Sequence, residues 1–402
     1  MHTTDMDTDT PLPALTQATI DLAALAHNYR ELRRITTASA KMMAVIKANA
    51  YGHGAAQVAR VALANGADFL AVARVQEAVQ LRESGVTATT LLLGYCDPRY
   101  VPYLAAHDII ASIGDMDSAR ALSKRASQAG VRLKAHVKVD TGMGRVGIVA
   151  DALSGRNGTT EATRTAAREI IELSALPGLE IEGIYTHFAS ADSRNQAHAR
   201  QQLAIFQEIL AELATMGFTV PYTHAANSAA LITMPESHLS LVRPGIAQYG
   251  LWPSAEIDRA ALDLRPVMSL RSRIVQIKEV PAGFAVSYGS TYTTTSRALV
   301  ATVPVGYADG YSRLLSGRGA MLVRGQRAPV IGRVCMDFTM IDVSGIEGVR
   351  NGDPVVVFGR QGEATLPVDE LAALSSTINY EIVSTITSRV IRCYQNANGA
   401  SG

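Results

Sequence analysis

The first strong signal in the sequence is a helical pattern that ends near residue 34. The apolar residues Leu22, Leu25, Tyr29 and Leu32 recur at intervals of three and four, the spacing of an amphipathic helix. Beyond this helix, short apolar runs alternate with segments of helical spacing. The predicted strands are KMMAVIK, FLAVA, TTLLLGY, DIIASI, VRLKAHVKVD, LEIEGIYTHF, VPYTHA and HLSLVRPG. The predicted helices between them cover residues 55–64, 75–83, 99–106, 116–129, 162–173, 196–216 and 228–234.

This alternation favours a closed (β/α)8 barrel, because strands covered by helices on both faces read as continuous apolar runs. An open doubly wound sheet is the alternative, but no Gly-x-Gly-x-x-Gly follows an early strand. Near Arg265 the pattern changes to strand-like runs such as ALVATVPVG, separated by Gly, Pro and Asp, which predict a β-rich domain. Two short helices are expected in it, at 368–373 and 380–388. We therefore expect an α/β chain with a disordered polar tail over 1–13, a barrel over 14–264, a β-rich domain over 265–394 and a disordered tail over 395–402.

Composition narrows the class of function. The 402 residues carry a formal net charge of +1, which offers no clustered basic surface for nucleic acid or an anionic membrane. The longest apolar runs fall well short of the ~20 residues that a membrane helix requires, and the polar first residues lack the pattern of a secretory signal. Three widely spaced cysteines fit reduced thiols, and no metal-ligand spacing is visible. A cytoplasmic enzyme with a small-molecule substrate is the expectation.

Lys47 is the first candidate for chemistry. It ends the first predicted barrel strand and precedes a glycine-rich turn, which places its amine at the carboxyl mouth of the barrel. A single lysine there is more often an ordinary solvated side chain. The run AVIKANAYGHG, however, resembles the cofactor-binding signature of the alanine racemase family. The segments KVDTGMGRVG, YTHFASAD, HAANSAA, LVRPGIAQYG, VSYGSTY, VPVGYADGY, GRVCMDFTMIDV and INYEIVSTITSRV follow in that family's order, so the resemblance runs from about residue 21 to 394.

The resemblance implies a fold type III enzyme in which Lys47 binds pyridoxal 5'-phosphate covalently and L-alanine and D-alanine are interconverted. Racemisation needs a proton donor and acceptor on each face of the substrate. The resemblance assigns the face that holds the D-substrate's proton to Lys47 and the L-face to Tyr288 in VSYGSTY. A phenol with its ordinary pKa of about 10 is a poor base at neutral pH. His187 and Arg243 are the implied neighbours that lower it.

Further positions follow from the resemblance alone. Arg243 would face the pyridine nitrogen of the cofactor, and because a guanidinium does not readily lose its proton, that nitrogen would stay unprotonated. His224 would hold Arg243, and the pairing of Lys138 with Arg145 would depend on a carbamate on Lys138. The implied phosphate and cofactor contacts are Tyr51, Asn227, Ser228, Gly245, Ile246 and Tyr380. The substrate carboxylate would meet Arg145 and the backbone of Met336, and Tyr307 with Tyr380 would line the entrance.

Because Tyr288, Tyr307 and Met336 lie in the β-rich domain and Lys47 lies in the barrel, the resemblance implies a head-to-tail homodimer with shared active sites. The sequence leaves three alternative functions open. Cys335 invites comparison with barrel-type decarboxylases of basic amino acids, although these present an acidic residue where Arg243 stands. A non-catalytic pyridoxal phosphate carrier would lack the β-rich domain. A racemase of broader specificity, acting on serine, lysine or arginine, shares the same motifs.

Overall fold

The first strand of the chain and the first helix belong to different structural units. In the computed structural model, which describes residues 14–150 and 159–395, strand β1 (Gln17–Asp21) is followed directly by helix α1 (Leu22–Ile35). The chain divides into a unit that spans Leu22–Val267 and a unit that joins the residues up to Asp21 with those from Met268 onward. We call the first the barrel unit and the second the β unit.

The barrel unit is built on eight parallel strands. They are β2 (Lys41–Val45), β3 (Phe69–Val72), β4 (Thr90–Leu92), β5 (Ile109–Ile113), β6 (Leu133–Asp140), β8 (Leu179–Tyr185), β9 (Tyr222–His224) and β10 (Leu241–Val242). A ninth, two-residue strand, β7 (Ile148–Val149), pairs with β6 outside this series. Neighbours in the sheet follow the chain from β2 to β9, and β10 pairs with β2. Ser240 N donates to Thr223 O (3.2 Å) and Arg243 N to Ala226 O (3.0 Å), which nearly closes the sheet. The predicted barrel is confirmed, and the open sheet is excluded.

Helices connect the strands, and all but α2 lie where the periodicity predicted them; a glycine-rich turn was predicted where α2 lies. They are α2 (Lys47–Tyr51), α3 (Ala55–Ala64), α4 (Val75–Glu83), α5 (Val101–Ala106), α6 (Met116–Ala129), α7 (Thr159–Ser174), α8 (Ala197–Thr215) and α9 (Ser228–Thr233). Helix α6 shows how such helices begin and end. Asp115 caps its first turn by accepting from Ser118 N (2.7 Å), and Gly130 ends it at φ 64°. No helix in the described ranges is long and apolar enough to cross a membrane.

The β unit confirms the predicted change from alternating strands and helices to a β-rich domain after the barrel. Its further strands are β11 (Met268–Arg273), β12 (Gln276–Val280), β13 (Ala285–Val286), β14 (Tyr292–Thr293), β15 (Ala298–Val303), β16 (Ala320–Val323), β17 (Gln326–Pro329), β18 (Thr339–Asp342), β19 (Pro354–Gln361), β20 (Ala364–Leu366) and β21 (Ile391–Gln395). One sheet has the order β17-β16-β19-β11-β1-β21, and a second has the order β12-β15-β18. The helices α10 (Val368–Leu374) and α11 (Asn379–Ser384) lie between β20 and β21 in the chain.

Strand β1 departs from the boundary drawn from sequence, which placed residues 14–264 in the barrel. It pairs antiparallel with β11, with Gln17 opposite Arg271, and parallel with β21, with Gln17 opposite Ile391. Ala18 and Ile20 are fully buried. A five-residue strand whose partners begin 251 (268 − 17) and 374 (391 − 17) residues further along carries no local signal of its sheet. The predicted tail over 1–13 and residues 396–402 of the predicted tail over 395–402 lie outside the described residues. The first residue of the second tail, Gln395, was wrongly assigned to it, because Gln395 ends β21 and pairs with Asp21.

Candidate active site

Lys47 begins an unusual backbone turn at the carboxyl end of β2. Ala48, Asn49 and Ala50 lie at φ 53°, 52° and 55° with ψ near 50°, and Tyr51 follows at φ 52°. These are left-handed helical angles, which cost about 1–2 kcal/mol for each residue with a side chain. Hydrogen bonds from Gly52 N to Ala48 O and from Gly54 N to Asn49 O, both 2.9 Å, close the turn. Sequence patterns predicted a turn here, but not its hand.

The Lys47 amine lies in an environment that weakens its hold on a proton. Burial lowers its pKa, the positive charge of Arg145 lowers it further, and the negative charge of Glu77 acts in the opposite direction. A lower pKa leaves more of the amine neutral near pH 7. A neutral amine can act as a nucleophile or as a base.

The loop that carries Arg145 is held by a single carboxylate. Asp140, the last residue of β6, accepts from Gly142 N (3.0 Å), Met143 N (2.8 Å) and Gly144 N (3.1 Å) through Oδ1. Its Oδ2 accepts from Arg145 N (2.8 Å). Sequence reasoning missed this role. The available signal was an Asp just before two closely spaced glycines, a pattern typical of side-chain-stabilised turns.

Lys138 lies two residues earlier on the same strand and is 5 % exposed. Its burial lowers the pKa to about 8, and the positive charges of Arg145 and Arg243 contribute. The ammonium stands 5.9 Å from the centre of the Tyr185 ring. The charge of Arg145 therefore acts on Lys138, the residue with which the resemblance pairs it. As an unmodified ammonium, Lys138 repels the arginine.

Arg243 follows β10 and is 3 % exposed. Its Nη2 donates to the carbonyl oxygens of Thr186 (2.8 Å) and Ala225 (2.9 Å), and its Nη1 lies 2.7 Å from His224 Nδ1. Burial lowers its pKa to about 10, so the guanidinium keeps its charge at neutral pH. The predicted pairing of His224 with Arg243 is present in the structure.

A chain of buried groups extends from this arginine. Because Arg243 can only donate, His224 must accept at Nδ1 and carry its proton on Nε2, which lies 2.9 Å from His136 Nδ1. His136 then carries its proton on Nε2, 3.8 Å from Glu182 Oε1, too long for a hydrogen bond. Burial lowers the pKa of both histidines, and the Arg243 charge adds to this. His136 is a supporting residue that the sequence analysis did not identify.

His187 follows β8 and lies 3.3 Å from Arg243 Nη2 through its Nδ1. Burial, followed by the positive charges of Arg243, Arg145, Lys138 and Lys47, places its pKa well below the ordinary value. The imidazole is therefore neutral at pH 7. The barrel thus brings together the candidate residues Lys47, Lys138, Arg145, His187 and Arg243.

A second group of candidates forms a small cradle beside the start of α9. Ser228 Oγ accepts from Gly245 N (2.7 Å) and Ala247 N (3.2 Å), which leaves its O–H hydrogen to donate elsewhere. A Cβ on Gly245 would lie only 2.9 Å from Tyr51 Oη and 3.8 Å from Ser228 Oγ. Burial raises the pKa of the Tyr51 phenol far above its usual range, so it remains a donor. Ile246 is fully buried directly after this glycine.

This cradle fits a phosphate group, because hydroxyl donors converge on a position that only a residue without a side chain leaves open. Asn227 has a different role. Its Oδ1 accepts from Ala230 N (3.0 Å) and caps α9, so it orients the helix that carries Ser228.

The β unit gathers three other candidates around Cys335. The amides of Tyr307 and Ala308 donate to Cys335 O and Met336 O, both at 3.1 Å. Ser287, which precedes Tyr288, donates from Oγ to Arg333 O (2.7 Å) and lies 3.3 Å from Cys335 Sγ. The side chains of Tyr288, Met336 and Tyr307 are 73 %, 51 % and 42 % exposed. Tyr380, the remaining candidate, lies partly buried in α11 of this unit.

A (β/α)8 barrel with a half-buried lysine, a fixed arginine and a hydroxyl-lined cradle beyond its strand ends is the framework of a barrel enzyme. The comparisons with known proteins identify which kind. Residues 20–253 match the N-terminal domain of alanine racemase, and residues 267–394 match its C-terminal domain. The chain belongs to the alanine racemase family, and it is an enzyme of the isomerase class.

Individual relatives agree with the family assignment over the whole length. The alanine racemase of Desulfosudis oleivorans is 48% identical over 384 residues, which cover 96% of this chain and 97% of that protein. The crystal structure of alanine racemase from Bacillus anthracis with bound L-Ala-P is 37% identical, with a TM-score of 0.89 and coverage of 98% and 97%. The alanine racemase of Bartonella henselae with covalently bound pyridoxal phosphate is 28% identical, with a TM-score of 0.82 and coverage of 95% and 100%.

Proposed function

We propose that the chain interconverts L-alanine and D-alanine with pyridoxal 5'-phosphate and two acid–base residues, Lys47 and Tyr288. The observation that carries the proposal is the half-buried Lys47 amine with its lowered pKa, which stands among the groups that the family motifs single out. Lys47 would hold the cofactor covalently. Its phosphate would be held by the cradle of Tyr51, Ser228 and Gly245, with Ile246 beside them and Tyr380 as a further donor.

The bound cofactor supplies delocalisation of the negative charge that develops at the α-carbon when its proton leaves. The chain's own residues set the conditions for that loss. Arg243 keeps its charge and is fixed by two carbonyl oxygens and His224, so it presents N–H donors that stay protonated. A nitrogen that faces them receives a hydrogen bond rather than a full proton. The electron-withdrawing power of the site is then moderate, which favours return of the proton to carbon.

The two faces of the substrate need different proton carriers. Lys47 would remove and return the proton of D-alanine, since its lowered pKa shifts the amine towards its neutral form. Tyr288 would do the same for L-alanine. A phenol acts as a base more readily where cationic neighbours stabilise its anion. Arg145 would contact both the Tyr288 hydroxyl and the substrate carboxylate, and the Met336 backbone would bind the second carboxylate oxygen.

We further propose that Tyr288, Tyr307 and Met336 complete the site of a second copy of the chain in a homodimer. Their exposure supports this, because three large side chains grouped on one surface of the β unit are typical of an interface. Mixing two inactive variants tests it. Inactive Lys47→Ala and Tyr288→Phe dimers that exchange subunits should regain about a quarter of the wild-type activity, since each mixed dimer has one intact site. No recovery after proven exchange would place both residues in one subunit.

A carbamate on Lys138 is also proposed. An amine must be neutral to react with carbon dioxide, and burial and neighbouring cations lower the Lys138 pKa to about 8. The resulting negative charge would change repulsion of Arg145 into attraction and orient the guanidinium. Growth with ¹³C-bicarbonate followed by NMR of the purified protein should show a carbamate signal that Lys138→Ala removes. A signal that persists in the variant would assign the carbamate to another lysine.

The central experiment follows solvent deuterium into the α-carbon of L-alanine while D-alanine appears. A panel with serine, lysine and arginine tests the rival of broader specificity, and no exchange with any amino acid would contradict the racemase proposal. Tyr288→Phe should abolish racemisation and keep the absorbance of the bound cofactor, whereas Lys47→Ala should lose the absorbance of the covalent link. The cellular role proposed is cytoplasmic supply of D-alanine for peptidoglycan. A strain without this protein should then require added D-alanine for growth, unless it has a second source.

A further inference from the structure

Glu77 lies in the first turn of α4, and the mechanism above does not use it. Its Oε1 accepts a hydrogen bond from Ala48 N (2.5 Å), the amide directly after Lys47. Its Oε2 accepts from Ala73 N (2.8 Å) and Arg74 N (3.0 Å) at the end of β3 and the start of α4. One carboxylate therefore ties the residue that follows Lys47 to the neighbouring strand and helix of the barrel.

The bond to Ala48 falls on the first residue of the left-handed turn. The second residue of the turn is also tied by a side chain, because Asn49 Oδ1 accepts from Ala55 N (2.9 Å) in the first turn of α3. Left-handed angles at residues with side chains persist only where the surroundings fix them. Glu77 fixes the start of this turn from α4, Asn49 ties the turn itself to α3, and His53 Nδ1 lies 3.1 Å from Ala50 O and 3.0 Å from Tyr51 O at its end.

Glu77 also acts on the Lys47 amine through its charge. The positive charges that face the amine are those of Arg145 and Lys138, and His187 is neutral beside them. Burial and Arg145 lower the pKa of Lys47, and Glu77 raises it. The Glu77 carboxylate therefore supplies negative charge that partly offsets the positive charges around the Lys47 amine.

We propose that Glu77 is the positioning residue of Lys47: its hydrogen bonds fix the turn that aims the amine, and its negative charge sets how readily the amine takes a proton. The proposal rests on the proposed function only in that Lys47 is taken as the lysine that binds the cofactor. The two parts, geometry and charge, can be separated by substitution.

Glu77→Gln removes the charge and places an amide NH2 against at least one N–H donor. Competitive acetylation of the full-length, cofactor-free protein across pH, read on the Lys47 peptide by mass spectrometry, reports the amine's titration midpoint. We expect the midpoint to fall by about half a pH unit or more. Glu77→Asp keeps the charge but retracts the carboxylate from Ala48. It should leave the midpoint near that of the wild type and slow the development of cofactor absorbance, after pyridoxal phosphate is added, by about tenfold.

Ala48→Gly provides the rescue. Ala48 is exposed, and glycine adopts the left-handed angles without steric cost. In the double variant with Glu77→Asp, it should restore much of the rate at which the protein captures pyridoxal phosphate (the capture rate). The titration midpoint of the Lys47 amine should not change. The matched control is Glu161→Gln, which removes an exposed acid from the first turn of α7 and should alter neither readout.

Three results would overturn the proposal. They are a wild-type midpoint in Glu77→Gln, a wild-type capture rate in Glu77→Asp, and equal losses in Glu161→Gln. Circular dichroism of each variant separates these from unfolding, and Glu77→Asp tests the geometry even where Glu77→Gln does not fold. If the wild-type protein captures no pyridoxal phosphate, the proposed function fails, and the acetylation midpoints still decide the role of the Glu77 charge.

Discussion

Replacing Asp140 with asparagine tests whether one carboxylate maintains the loop that carries Arg145. The carboxylate is 8 % exposed and accepts four backbone hydrogen bonds of 2.8–3.1 Å. In the best orientation, asparagine keeps its carbonyl towards the three bonds of Oδ1 and turns its NH2 towards Arg145 N. One bond is then lost to opposed donors, and three lose the assistance of a charge. Since bonds to charged groups contribute about 1.5–3 kcal/mol, we expect the free energy of unfolding to fall by about 2–4 kcal/mol.

Urea denaturation at neutral pH measures this loss, and Asp115→Asn is the matched control. Asp115 caps α6 by accepting from Ser118 N and Ser118 Oγ, both at 2.7 Å, and asparagine is an equally good cap. The control should change the free energy of unfolding by less than about 0.5 kcal/mol. Because Arg145 is proposed to bind the substrate carboxylate, Asp140→Asn should also raise KM for alanine. A variant as stable as the control, with an unchanged KM, would refute the role assigned to Asp140.

The difference in unfolding free energy between the wild-type protein and Asp140→Asn should depend on pH in a predictable direction. Burial alone would raise the pKa of Asp140, but the four backbone hydrogen bonds outweigh it and the pKa lies below its ordinary value. A carboxyl with a lowered folded-state pKa contributes stability above its unfolded pKa of about 3.9 and loses it as the pH falls through the folded value. The free energy of unfolding of the wild-type protein should therefore exceed that of Asp140→Asn by a constant amount near neutral pH. This difference should become smaller below about pH 4.

Two glycines give further predictions. Gly245→Ala should weaken pyridoxal phosphate binding by about tenfold or more, because the new methyl would lie 2.9 Å from Tyr51 Oη inside the cradle. Equilibrium dialysis measures the dissociation constant. The control is Gly345→Ala, whose new methyl would have no heavy atom within 4 Å. Gly183→Ala should lower the free energy of unfolding by about 1–3 kcal/mol, because its methyl would lie 2.6 Å from the buried His136 ring. An unchanged dissociation constant in the first case, or an unchanged urea midpoint in the second, would contradict these contacts.

The sequence predicted what depends on long, regular patterns. All eight barrel strands were recovered because parallel strands covered on both faces form mainly apolar runs, and α3 and α4 were predicted with the bounds that the structure has. The sheet of β1 could not be predicted, because its partners β11 and β21 are far along the chain. The roles of Asp140 and Glu77 were missed for another reason. Each is a single carboxylate whose partners are backbone amides, and backbone amides leave no trace in side-chain patterns.

Backbone strain provides a further argument for Lys47 and Tyr288 that does not depend on motifs. Within the described residues, ten residues other than glycine have positive φ, and six of them flank these two candidates. Four follow Lys47 directly, and Ser287 (φ 66°) and Ser290 (φ 49°) lie on either side of Tyr288. Such conformations cost about 1–3 kcal/mol each and persist where surrounding contacts fix them, often at sites of function. Glu77 fixes the first segment, and the bond from Ser287 Oγ to Arg333 O fixes the second. The barrel unit and the β unit thus each hold one proposed acid–base residue on strained backbone, as expected if natural selection acted on where the Lys47 amine and the Tyr288 hydroxyl point.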